Sequence, residues 1–242
     1  MPDNYLQQQI MPAFERAQAA TISLTRSVVN ELQTGMSERD ACLMARRMAD
    51  EQAIFTGWFH APEVYFDRIP SRWPSRDRGT LRPGTLVQIG LAPATEDAFG
   101  EFGHSFTFQG EEHAAVTEAR RICRATCGFA SRFKCVGELF VFAHSWANNH
   151  RIELHARHAI GHTCLPREGL TNTQWPLMAR MATRLRRNQI QWYNPRRISG
   201  IYAVSPPVHH NGRVAAFEEM IFIDGETKRV LGRTDIDQIG SL

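Results

Sequence analysis

Lysine is almost absent from this chain. Lys134 and Lys228 are its two lysines, and arginine supplies the rest of the 28 basic residues. The net charge of +3 is mild and the arginines are scattered, which argues against a nucleic-acid surface. Arginine's planar fork does suit carboxylate groups. Long apolar runs are missing too. No stretch approaches the roughly 18 apolar residues that cross a bilayer, and the opening "MPDNYLQQQI" has neither the basic nor the apolar region of a signal peptide. Five cysteines, at 42, 123, 127, 135 and 164, form an odd set without framework spacing. Cys123 and Cys127, four apart on an expected helix, read as packed thiols rather than a bridge. The expectation is a cytoplasmic protein that contacts neither membrane nor nucleic acid. GxSxG, GxGxxG, P-loop and HExxH motifs are all absent.

What is present is ordinary globular material. Hydrophobic residues make up 43% of 242, charged residues 22% and aromatics 10%, enough for one sizeable core or two fused halves. Apolar residues at three- and four-residue steps predict a helix within residues 4–33. A second helix follows Gly35, with Ser37 as N-cap and Asp40 three residues on. Residues 58–80, broken by Pro62, Pro70 and Pro74, read as short strands and loops. Residues 84–94 and 98–110 read as a hairpin, 111–131 as helix, and the segment to His158 as mixed. A proline-bounded insertion carries a helix near 174–188, and 200–206 and 216–224 are strand-like, with a turn and strand to close. Helix, helix and hairpin thus occur twice, which predicts a single α+β domain of two similar halves with a cleft between them.

Several residues suggest chemistry. His155, His158 and His162 crowd around Gly161 in "HARHAIGHTC", with Cys164 following. His158 and His162 are four apart, but Gly161 argues against a helix there. No CxxC pair or downstream HxxxH completes a structural zinc site, so these side chains also fit a strand edge where they satisfy backbone groups. Glu101 and His104 share one strand at a spacing of three, on opposite pleat faces unless a bulge intervenes at the flanking glycines. Glu218 and Glu219 enter an apolar strand, a way to present hard-metal ligands or to begin a solvated strand.

The order of the motifs is more specific. "LQTGMSERD", "DRGTLRPGTLVQIG", "FGEFGHSFTFQG", "HAIGH", "SGIYAVSPP" and "FEEMIFIDGET" follow one another as in the methionine aminopeptidase, aminopeptidase P and creatinase family. The resemblance covers about residues 15–235. It implies the pita-bread fold, spanning 1–242 as one domain without creatinase's N-terminal domain, and commonly a homodimer. Its metal site is degenerate here. Gly90 stands where the first metal aspartate belongs, Glu101 matches the second, and His104 falls on an arginine of that motif. His158 matches the motif histidine, Leu165 and Pro166 replace the later histidine–glutamate pair, and Ser205-Pro206-Pro207 lacks the expected carboxylate. Glu218 matches the final glutamate.

Two bridged cations need about five protein ligands, and three positions remain. The resemblance therefore implies either no metal or one divalent ion (iron, manganese or zinc) on Glu101, His158 and Glu218. On the creatinase pattern, His158 and His104 would carry protons, Glu101 and Glu218 would orient them, and Arg72 and Arg76 would clamp a substrate carboxylate. Tyr202 and His162 would line the pocket. This predicts a non-peptidase enzyme acting on a C–N bond of a small carboxylate-bearing molecule. Two other readings stand beside it: a non-catalytic binding module contacting partners through 206–213, and an aminopeptidase with rearranged ligands.

Overall fold

The structure is a computed structural model and describes residues 10–67, 79–154, 159–164 and 188–232. Helix α1 (Met11–Asn30) has a proline in its first turn and buries Phe14, Ala17, Thr21, Leu24 and Val28 along one stripe. Helix α2 (Glu38–Asp50) starts at the expected cap, where Ser37 Oγ accepts from the Asp40 N–H. Glu38 then reaches off the helix to accept the Phe66 N–H at 2.8 Å, tying α2 to the sheet beneath it.

That sheet is antiparallel, in the order β1 (Gly57–Phe66), β2 (Leu86–Ala94), β3 (Phe102–Thr107). The predicted hairpin is β2–β3. The proline-broken stretch, by contrast, holds a ten-residue strand, since Pro62 sits on an edge strand at a register shift between His60 and Glu63. A missing N–H is harmless at such a bulge. Val64, Phe66, Val87, Ile89, Leu91 and Phe106 pack under α1 and α2 in one core cluster.

The second half repeats the plan. Helices α3 (Ala114–Phe129) and α4 (Val136–Asn149) cover a four-stranded antiparallel sheet formed by β10 (Thr227–Val230), β9 (Glu219–Asp224), β6 (Gly200–Val204) and β5 (Gly161–Cys164). Helix α4 falls in the stretch read as mixed. Its Leu139, Ala143 and Ala147 have helical spacing, but Cys135 takes the capping position usually signalled by Ser, Thr or Asp. A small sheet joins β4 (Glu153–Leu154), β7 (Val208–His210) and β8 (Arg213–Ala215). β7 and β8 turn through Asn211 and Gly212, both at positive φ, as an Asn-Gly hairpin. The insertion at 174–188 lies almost wholly outside the described residues.

The halves are joined by backbone. Glu218 N–H donates to the Gly103 carbonyl at 2.8 Å and Ser105 N–H to the Ala216 carbonyl at 3.0 Å. The edge of β3 therefore lies beside the entry to β9. Phe59, Ala92, Ala94, Phe99, Cys164, Ala203 and Met220 fill the space between the sheets.

Candidate active site

Pleat alternation decides which side chains enter the cleft. Val87, Ile89 and Leu91 face the helices, so Gly90 and Ala92 face the cleft, opposite Glu63 and His60 on β1. His60 and Glu63 differ in parity, and the bulge at Ala61-Pro62 brings both to one face. In the second sheet His162 pairs with Ala203, which pairs with Met220, so Glu218, two residues before Met220, shares the face of His162.

Glu101 is the centre of the cluster. Its backbone is clamped twice by Gln18 of α1: Glu101 N–H donates to Gln18 Oε1 at 2.8 Å, and Gln18 Nε2 donates to the Glu101 carbonyl at 2.9 Å. Gly100 permits this approach, because a Cβ there would lie 2.0 Å from Thr21 Oγ1 and 2.5 Å from the Ala17 carbonyl oxygen. The Glu101 carboxylate then lies 3.2 Å from His162 Nε2 and 3.7 Å from His60 Nε2. His60 Nδ1 is 2.9 Å from the Ala61 carbonyl oxygen, which turns Nε2 to the carboxylate. Glu218 lies over Gly103, where a Cβ would come within 3.3 Å of its own.

The electrostatics follow from burial and neighbours. Burial alone would raise the Glu101 carboxyl, but the charges and hydrogen bonds of His162 and His60 outweigh it and hold Glu101 well below the usual carboxylate range. Burial would discharge the imidazoles, yet Glu101, with Glu63 behind it, lifts His60 to about 9. His162 is raised well above its ordinary value, against burial, by Glu101 and by its hydrogen bond to Cys164. Glu218 moves the other way: burial and then the Glu101 charge push it to about 8, so it keeps its proton at neutrality. Burial takes the Cys164 thiol to about 11 despite His162.

Other predicted site residues sit elsewhere. His104 pairs with Ile89 on the helix-facing side of β3, opposite in parity to Glu101, and stacks between Phe102 and Phe106 with Phe217 at its edge. No bulge at Gly100 or Gly103 brings it round, so it does not join the cluster as a proton carrier. Tyr202 is fully buried against α3 and α4, its hydroxyl taken by Ser199 N–H and carbonyl, and it does not line the cleft. His158, Arg72 and Arg76 lie outside the described residues. His60 carried no sequence signal beyond its place in "FHAPEV", since strand alternation across a proline cannot be read without the bulge.

Among the described residues, two positions that the motif order assigns to ligands of a cation pair carry no carboxylate. Gly90 offers no donor, although Glu63 stands beside it on β1, and the matching end of β6 is Val204 followed by Ser205. A single ion has a set of donors: Glu101, His162 and Cys164 each offer one atom, all within 4.8 Å of one another.

Solved structures with this architecture include the X-Pro aminopeptidase of Thermotoga maritima. The match has a TM-score of 0.68 and 14% identity, and covers 97% of this chain and 65% of that one. The prolidase of Pyrococcus furiosus matches at a TM-score of 0.71 and 13% identity, covering 94% and 65%. A variant of Escherichia coli aminopeptidase P matches at 0.68 and 13%, covering 96% and 57%. The fold is thus the pita-bread fold, as the motif order implied. The chain spans less than two thirds of the length of these structures. Neither a protein-family model nor a curated protein sequence matches it. Among the described residues no helix is long and apolar enough to cross a membrane.

Proposed function

We propose that this chain is an acid–base enzyme on a metallopeptidase-like scaffold, cleaving a C–N bond in a small carboxylate-bearing molecule. The observation that carries this reading is the Glu101 carboxylate held between the imidazoles of His162 and His60. An imidazole oriented by a buried carboxylate is a standard proton carrier. His162, charged at the outset, gives its proton to the substrate nitrogen. As neutral imidazole it takes one back from the attacking water, and ends the cycle as it began. Near neutrality the charged imidazoles of His162 and His60 face the carboxylates of Glu101 and Glu63, beside an uncharged Glu218. On the sequence pattern, Arg72 and Arg76 would clamp the substrate carboxylate.

A second reading keeps one divalent ion, on the strength of the Glu101, His162 and Cys164 donors. Such an ion would supply Lewis acidity to the substrate carbonyl or amidine.

The test is turnover of a panel of amidino-, carbamoyl- and acyl-amino acids alongside dipeptides, with and without chelator. Chelator-insensitive cleavage of the first group, lowered about 10²- to 10⁴-fold in His162→Ala, supports the proposal. Loss with chelator selects the single-ion reading. Dipeptide cleavage restored by added metal would replace both with a peptidase, and no turnover of any compound leaves a binding module.

A further inference from the structure

The opposite face of the second sheet carries another group of donors that this chemistry does not use. Cys123 and Cys127 are one turn apart on α3 and point the same way. They meet Glu219, the first residue of β9, and the three side chains offer two sulfurs and a carboxylate oxygen within 4.8 Å of one another. All three are at least 98% buried. Cys123 Sγ is also 3.2 Å from the carbonyl oxygen of Val204, which pairs with Glu219 in the sheet, so a fourth donor is at hand.

From this geometry we infer a structural metal site for a thiophilic divalent ion such as zinc, held by Cys123, Cys127 and Glu219 between α3 and the sheet. Two sulfurs, a carboxylate oxygen and the Val204 carbonyl oxygen bring the donors to four, the number a tetrahedral structural zinc takes. Binding expels the two thiol protons to solvent. Two thiolates and one carboxylate around a dication leave one negative charge. Lys228, whose ammonium donates to the Gly128 carbonyl next to Cys127, offsets it. The ion would pin α3 to the strand that also carries Glu218 into the cleft, so the site stabilises the framework of the active site without touching substrate. Being buried, it fills as the chain folds.

The experiment uses the full chain with the cleft disabled, Glu101→Gln and His162→Ala, so that any cleft-bound ion is excluded. This protein is refolded with zinc, dialysed and assayed for metal, then refolded with cobalt and examined for thiolate-to-cobalt charge-transfer absorption in the near ultraviolet. One equivalent of zinc and the charge-transfer bands are expected, with both lost when Cys123→Ala and Cys127→Ala are added. Glu219→Gln, which leaves both thiols and the packing volume intact, should weaken zinc retention at least 10-fold. The inference is overturned if the cleft-disabled protein holds no zinc, or if it keeps zinc and the same spectrum after the cysteines are replaced.

Discussion

His162 Nε2 on β5 lies 3.2 Å from the carboxylate of Glu101, which immediately precedes β3 of the other sheet, although 61 residues separate them. The contact exists because β3 and the entry to β9 share backbone hydrogen bonds, which closes the two sheets around one carboxylate. The cleft thus holds an ion pair made from the protein's own side chains.

Removing the central charge should show in the imidazoles. In Glu101→Gln the His60 value, now about 9, should fall towards 6.5, because only Glu63 and the Ala61 carbonyl then oppose burial. Nuclear magnetic resonance titration of the histidine ring protons checks this, and unchanged values would separate Glu101 from the pair.

Stability should depend on pH with a definite sign. His60 is raised above 6.5, so its contribution is complete below that pH and disappears as pH climbs through about 9. Glu218, raised from 4.5 to about 8, also binds more protons folded than unfolded across that interval. Both make stability fall with rising pH, by about 1.4 kcal/mol per pH unit for each whole proton of difference. Glu101, depressed, acts on the acid side, losing its contribution as pH drops below about 4.5. Urea unfolding between pH 6 and 9 should show the alkaline decline, and Glu218→Gln should flatten it.

The clamp on Glu101 should matter to rate and stability together. Gln18→Leu leaves the buried N–H and carbonyl of Glu101 unpaired, at a cost on the order of 2–5 kcal/mol. Gly100→Ala forces a Cβ onto Thr21 and should cost about 1–3 kcal/mol. Chemical denaturation gives both figures. A drop in kcat for Gln18→Leu at unchanged KM would mark it as a positioning residue.

Cys164 should be inert. Its thiol sits at about 11, so at neutral pH it is neither a thiolate nucleophile nor readily alkylated. Iodoacetamide should leave it unlabelled in the folded protein, and Cys164→Ser should stay within a few-fold of wild-type turnover; a large loss there favours the single-ion reading.

Local signals were enough for what depends on neighbours in the chain. The stripe of α1, the Ser37 cap and the β2–β3 hairpin follow from spacing of a few residues, and the family resemblance of the motif order singled out Glu101 and Glu218. The tertiary structure decided the rest. Pro62 on an edge strand makes the bulge that brings His60 round to Glu63's face, and a register set by pairing sends Tyr202 into the core and His162 into the cleft. Glu218 and Glu219 are consecutive, yet pleat alternation gives one to the imidazoles and the other to two thiols. Which face a residue takes depends on strand partners such as Ala92 for His60 and Ala203 for His162, far along the chain, because a one-residue change of register reverses every side chain on a strand.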